Sequence, residues 1–204
     1  MRGNKNLKSK KFIEEAYVAL LLQKDFKKIT VIDIIEQGEV SRATFYKNYE
    51  DKYDLSKDFI EEFFLKYKEV RLDKKTDDKD YLIFLNKNRL NFTAIFKIKD
   101  ELIDGMNELK KLIQAEYKKI NNSTDLEADF YAFQSVWALN YLASLNRFIS
   151  EADLNSIHLS FQKLSSDIKE RKEYWEQIRR IMQARDKNWL IYEWSVFFYP
   201  FLLN

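Results

Sequence analysis

The sequence predicts an all-α protein, and three observations carry that prediction. Helix breakers are scarce, with one proline, Pro200, and three glycines in 204 residues. The chain is rich in Lys, Glu, Leu and Ile, and such a composition with so few breakers reads as nearly all helix. Apolar residues recur at steps of three and four over most of its length, the spacing that lines one face of a helix. Hydrophobic residues make up 46% and aromatics 16%, enough for a sizeable core in one large domain or two small ones.

Taken in order, the first helix is expected at about 6–22, where Leu7, Phe12, Ile13, Ala16, Leu20 and Leu21 form the stripe. A basic loop, 24–29, follows. Thr30 reads as an N-cap with Asp33 three residues on, in the manner of a capping box, so a second helix is expected at 31–37, burying Val31, Ile34 and Ile35. Gly38, Glu39 and Val40 form a tight turn, Ser41 caps a third helix at 42–48, and a fourth runs from about 51 to 70 over Leu55, Phe59, Ile60, Phe63 and Phe64. The stretch 73–80 has no apolar residue and reads as a loop between two lobes. Further helices are expected at 81–91, 93–98, 99–119, 126–149, 151–169 and 174–184. Thr124 with Glu127 repeats the capping-box pattern, and the helix after it carries the stripe Leu126, Phe130, Phe133, Trp137, Tyr141, Leu145, Phe148.

Charge is balanced overall, at 35 basic and 33 acidic residues, so a nucleic-acid surface would have to be local. Residues 1–52 hold 11 basic and 8 acidic residues, a net of +3, and the segment 2–11 carries five basic residues and no acid. That segment reads either as a solubilising tail or as an arm for a polyanion backbone or groove. The absence of cysteine excludes disulfides and thiolate chemistry. His158, the single histidine, reads as a surface or interface residue; with no cysteine beside it, no zinc site is expected. Neighbouring acids such as Glu14-Glu15 and Glu61-Glu62 read as solvated faces, and no phosphate-cradling glycine loop is present. No catalytic residue, cofactor or metal is therefore expected. No apolar run follows the basic N-terminus as a signal peptide requires, and a soluble cytoplasmic protein is the expectation. The apolar stretch 189–203 is shorter than the ~20 residues needed to span a bilayer and is interrupted by Glu193 and Pro200. It reads as a buried or interface-forming helix, or otherwise as a membrane-surface or partner-binding segment.

Two short helices joined by a turn of three or four residues place the second helix in a DNA major groove, and the helix at 6–22 supplies the support behind them. In the stretch 30–52, Thr30, Ser41, Thr44, Tyr46 and Lys52 stand at or near helix N-termini, where N–H groups and partial positive charge favour phosphates. Arg42 is the one side chain of the third helix able to contact guanine through two bonds. Ala43 allows close approach or contact with a thymine methyl, and Lys47 reaches the flanking backbone. Phe45 and Tyr49 read as the buried side of that helix.

Residues 29–55, ITVIDIIEQGEVSRATFYKNYEDKYDL, resemble the DNA-binding segment of the tetracycline-repressor (TetR) family. Thr30, Ile34, Val40, Ser41, Thr44, Phe45, Tyr46, Asp51, Lys52 and Leu55 match its pattern. Where the family has Gly in the turn, this chain has Glu39, and a non-glycine residue in a left-handed turn costs roughly 1 kcal/mol. The resemblance implies a DNA-binding domain at 1–52 and a helical ligand-binding and dimerisation domain at 53–204. It implies a homodimer on a palindromic double-stranded operator, with the helices at 126–149 and 151–169 at the dimer interface. It also implies a repressor released by a small-molecule inducer. An inducer pocket would be lined by Phe63, Tyr67, Phe84, Phe92 and Phe96, together with Tyr117, Phe133, Trp137 and Tyr141; such aromatics are more often plain core than a cavity lining, and a ligand of such a site would be apolar or aromatic. The rival expectations are a DNA-binding regulator controlled by a protein partner, and an interaction or membrane-surface protein that uses the aromatic tail.

Overall fold

A computed structural model describes the backbone of residues 2–72 and 78–170, and the side chains of 8–72 and 78–163. Residues 73–77 of the expected interlobe loop, the expected helix at 174–184 and the apolar tail 189–203 lie outside the described residues. Those described form nine α-helices and no strand: α1 (Arg2–Gln23), α2 (Val31–Gln37), α3 (Arg42–Asn48), α4 (Lys52–Arg71), α5 (Asp78–Lys87), α6 (Arg89–Lys97), α7 (Gly105–Asn121), α8 (Asp125–Ser144) and α9 (Glu151–Glu170). The all-α expectation is met. The chain divides into two compact units, Met1–Leu154 and Asn155–Asn204. In the second, residues 155–170 are helical, and His158 lies 2.8 Å from Gln162 one turn on.

Local signals set most helix starts. Thr30 and Asp33 form the capping box of α2, Ser41 caps α3, Asp51 caps α4 and Thr124 with Glu127 caps α8. Each cap satisfies amide groups that the first helical turn leaves without partners. The first helix begins at Arg2, before the expected residue 6, so the basic N-terminal segment is part of α1.

In the first unit α1 packs on α2, α3 and α6, while α4, α7 and α8 form the other main contact set. Ile13, Tyr17 and Leu21 of α1 and Leu55, Ile60 and Phe63 of α4 are almost wholly buried. Tyr17 brings a hydroxyl into this core; it bonds Ser56 Oγ at 2.6 Å, and Ser56 returns to the carbonyl of Lys52 at 2.6 Å. Burial is what pushes the Tyr17 phenol upward from its ordinary pKa, with Ser56 opposing. Gly38 lets α2 end directly on α1: a Cβ there would stand 3.2 Å from the carbonyl oxygen of Phe12 and 3.3 Å from Ala16 Cβ.

Other expected boundaries move, and α5 already begins at Asp78, within the expected loop 73–80. The helix expected at 99–119 begins at Gly105, because 99–104 form a tight loop closed by an isolated antiparallel bridge between Lys99 and Asp104. Gly105 donates to the carbonyl of Ile98 at 2.8 Å, and a Cβ on it would lie 2.2 Å from the Ile95 carbonyl oxygen, so only glycine lets α7 start against the end of α6. The break between α5 and α6 falls at Asn88, whose side chain bonds back to Phe84. The helix expected to reach 149 stops at Ser144, followed by a turn with Asn146 in the left-handed region at φ 47°.

The buried face of α8 is also not the expected aromatic stripe. Ala128, Ala132, Val136, Leu139 and Leu142 are buried, and small residues there let α8 approach its neighbours closely. Trp137 and Tyr141 stack with ring centroids 5.7 Å apart on the outer side, at 37% and 42% exposure. Phe148, expected in the same stripe, lies beyond the helix end and is 81% exposed.

Candidate nucleic-acid interface

The N-terminal part of the first unit is built from α1 to the start of α4. Residues 38–41 separate α2 from α3, and their geometry is a Schellman closure: Val40 N–H bonds the carbonyl of Ile35 at 3.1 Å and Glu39 N–H that of Glu36 at 3.2 Å. Glu39 takes the left-handed conformation this closure demands, at φ 50°. The expected departure from glycine therefore falls on the residue that carries the strained angle.

The seven residues of α3 are sorted by face. Phe45 is fully buried and Tyr49, its C-cap, nearly so; their rings lie 5.9 Å apart. Ser41, Arg42, Ala43, Tyr46 and Lys47 are exposed, with Thr44 half-buried. Ser41 Oγ accepts the Thr44 amide at 3.0 Å and lies 2.8 Å from the Thr44 hydroxyl. Tyr46 is 51% exposed and meets Phe45 edge-on. The sequence-derived candidates on α3 are thus exposed except for the half-buried Thr44, and they carry two cations, two small residues and several hydroxyls.

The helix starts on either side differ from the open, anion-receiving ends that were expected. At α2, Thr30 donates its amide and hydroxyl to Asp33 Oδ2 at 2.7 and 2.8 Å, and Lys24 holds the other carboxylate oxygen at 2.8 Å. The Lys24 bond and then the Thr30 bonds pull the Asp33 carboxyl down to about 2. At α4, Asp51 accepts the amides of Tyr53 and Asp54 at 2.7 and 2.8 Å, and Asp54 accepts that of Glu50 at 3.0 Å. Carboxylates thus stand at the starts of α2 and α4, whereas the first turn of α3 has none.

Lys52 stands apart from the other candidates. Its ammonium is turned inward and donates to the carbonyls of Phe26 and Ile29, both at 3.1 Å. It also lies 4.3 Å from the centroid of the Phe26 ring. Thr30 is exposed but is engaged in its own cap.

Two groups escaped the sequence reading. Glu14, Asp58 and Glu62 bring carboxylate oxygens within 4.8 Å of one another between α1 and α4. Lys10 places its ammonium among them, 2.9 Å from Asp58, 3.8 Å from Glu14 and in closer contact with Glu62. The Tyr49 hydroxyl, 3.0 Å from Asp58 and 3.2 Å from Glu14, shares its proton between them. Burial and then the charge of Glu62 push the Glu14 carboxyl above its usual range. Burial opposes the charge of Lys10, but its bonds to Glu62 and Asp58 prevail and hold its pKa above the ordinary lysine value. Glu14 and Glu62 had been expected on solvated faces. The second group is the loop 99–104: Asp100 accepts from the Tyr53 hydroxyl at 2.9 Å, Glu101 pairs with Lys27, and Lys97 donates to the carbonyl of Leu22 at 3.1 Å.

Of the aromatics expected to line a pocket, Phe63, Tyr67, Phe84 and Phe92 are buried and packed on one another, Phe63 lying 5.8 to 6.4 Å from the other three. Phe96, Tyr117 and Phe133 are half-buried, Tyr117 stacking on Tyr131 at 4.0 Å, and Trp137 and Tyr141 face outward.

A 50-residue stretch, 24% of the chain, is 42% identical to an uncharacterized HTH-type transcriptional regulator, YxbF, of Bacillus subtilis (strain 168). The match spans 13% of that protein's length. No family model matches the chain, and no solved structure matches it. Among the described residues, no helix is long and apolar enough to cross a membrane.

Proposed function

We propose that this chain is a DNA-binding transcriptional regulator that presents α3 to the major groove. The observation that carries the reading is the sorting of α3: Phe45 and Tyr49 are buried and anchor it, while Ser41, Arg42, Ala43, Tyr46 and Lys47 are exposed. A short helix fastened this way behind a four-residue turn, with a bidentate donor near its N-terminal end, has the parts of a recognition helix. The partial likeness to an HTH-type regulator supports the same reading.

The finer proposal is a cytoplasmic, homodimeric repressor of the tetracycline-repressor type. Residues 1–52 would bind a palindromic operator and residues 53–204 would dimerise and take an apolar or aromatic inducer. Support for control from the second lobe comes from the loop 99–104, which is bonded both to the α1–α2 connection and to the start of α4. A shift of α6 or α7 has a direct route to the helices around α3.

The test is selection of duplexes from a random-sequence library by the full chain, followed by titration of Arg42→Ala. Arg42 is exposed, so the variant should melt with the wild type. It should lose about 1–3 kcal/mol of discrimination at one base position of the selected site. An Arg42→Ala variant that discriminates against base-substituted duplexes as strongly as the wild type at every position would remove Arg42 from base recognition.

A further inference from the structure

We infer that Lys52 is a positioning residue for DNA binding, an internal strut that sets α2 and α3 against α4, and not a contact to phosphate. The inference rests on the DNA-binding reading above and departs from the phosphate contact expected of Lys52 from its place at a helix N-terminus. Three features of the geometry support it. The Lys52 ammonium bonds the carbonyls of Phe26 and Ile29 at 3.1 Å each, so two of its three donors face inward. Those carbonyls flank a single 3-10 turn, Phe26–Lys28, and the next residue, Thr30, is the N-cap of α2. The two bonds therefore pin the exact place where the chain turns into α2, and α2 leads through residues 38–41 into α3.

The surroundings reinforce the inward setting. The cation lies over the Phe26 ring at 4.3 Å and 5.3 Å from the centroid of Tyr53, where aromatic faces favour it. The Tyr53 hydroxyl, one residue on, is bonded to Asp100, so an anion stands close to this junction. The neighbouring carboxylates of Asp51 and Asp54 are both engaged by amides at the helix start. An ammonium reaching for phosphate would give up its bonds to the carbonyls of two buried residues, Phe26 and Ile29.

Strut and phosphate contact differ in their salt dependence. Each phosphate neutralised contributes about 0.9 to the slope of log affinity against log salt, whereas a strut contributes nothing to it. The experiment measures binding of the full chain to a duplex selected by the wild type, across salt concentrations and well below the melting temperature. The variants are Lys52→Met, Lys52→Gln, Lys52→Arg and, as a cation exposed on α3, Lys47→Ala. The strut predicts that Lys52→Met loses about tenfold or more in affinity with the wild-type slope, and melts lower without DNA. Lys52→Gln, which can still donate to a carbonyl, should fall between it and the wild type, again with no change of slope. Lys52→Arg should recover affinity, and Lys47→Ala should lose about 0.9 of slope.

A slope reduced by about 0.9 in Lys52→Met or in Lys52→Gln overturns the inference in favour of a phosphate contact. Lower melting with undiminished affinity overturns it in favour of a purely structural lysine. If Lys52→Met does not fold, Lys52→Gln alone decides between these outcomes by its slope. A wild-type chain that enriches no duplex overturns the DNA-binding reading itself, a result separate from any effect of Lys52 on melting.

Discussion

Glu39 is the residue at which local chemistry and backbone geometry disagree most openly. It occupies the left-handed position of the Schellman closure after α2, at φ 50°, where an L side chain crowds its own backbone. The adjacent Gly38 has an ordinary right-handed backbone, φ −88°, and owes its identity to close contact with α1. The two glycine-demanding positions of this turn are thus distinct, and only one holds glycine. Replacing Glu39 by Gly should raise stability by about 0.5–1 kcal/mol, net of the greater freedom glycine has in the unfolded chain. Chemical denaturation of the full chain checks this, and a loss of stability would mean that the Glu39 side chain makes a contribution the turn geometry does not reveal. Asp33 gives the opposite lesson, that a residue three positions from its partner is fully legible. Its box with Thr30 is visible in the sequence, while its bond to Lys24 depends on how the loop 24–29 folds back.

At the scale of elements, α1 and α4 are joined by apolar packing and by the cluster round Lys10. The sign of its pH dependence follows from the two shifted groups. The pKa of Lys10 is raised in the folded chain, so its contribution is present below the ordinary lysine pKa and is lost only as pH rises through the folded value. That contribution also needs ionised carboxylates, and Glu14, whose pKa is raised, takes up a proton earlier than an ordinary glutamate as pH falls. Lys10→Met should therefore cost on the order of 1 kcal/mol at pH 7 and progressively less toward pH 4. Thermal melts of both proteins at the two pH values decide this; a cost that is equal at both would show that Lys10 acts through its apolar stem and not through charge. The bounds of α2 to α4 could be read from the chain because Thr30, Ser41 and Asp51 act within three residues of themselves. The outward face of α3 could be read because Phe45 and Tyr49, four apart, mark its buried side. The inward settings of Lys10 and Lys52 could not, since their partners lie 52 and 26 residues away. The face of α8 was misread for a related reason: spacing of large residues picks out Phe133, Trp137 and Tyr141, whereas close helix packing selects Ala128 and Ala132.

For the whole molecule, the outward aromatics of α8 bear on the proposed homodimer. A regulator that reads a palindrome must hold two copies of α3 about one DNA turn apart, ~34 Å, and only a second copy of the chain supplies the other α3. The buried side of α8 is complete within its own unit, through Val136, Leu139 and Leu142, so a change on its outer side need not disturb the fold. Tyr141, 42% exposed, is the place to introduce that change. Tyr141→Glu puts a charge where aromatic area would be covered in a dimer, and a buried unpaired charge is strongly unfavourable. Sedimentation of the full chain should show a wild-type dimer and a Tyr141→Glu species shifted toward monomer, with similar helical content by circular dichroism. Because each half-site then binds alone, the variant should lose most of the advantage that a palindromic duplex holds over a single half-site. A wild-type chain that sediments as a monomer at micromolar concentration, or a variant that dimerises as well as the wild type, would move the interface away from this face of α8.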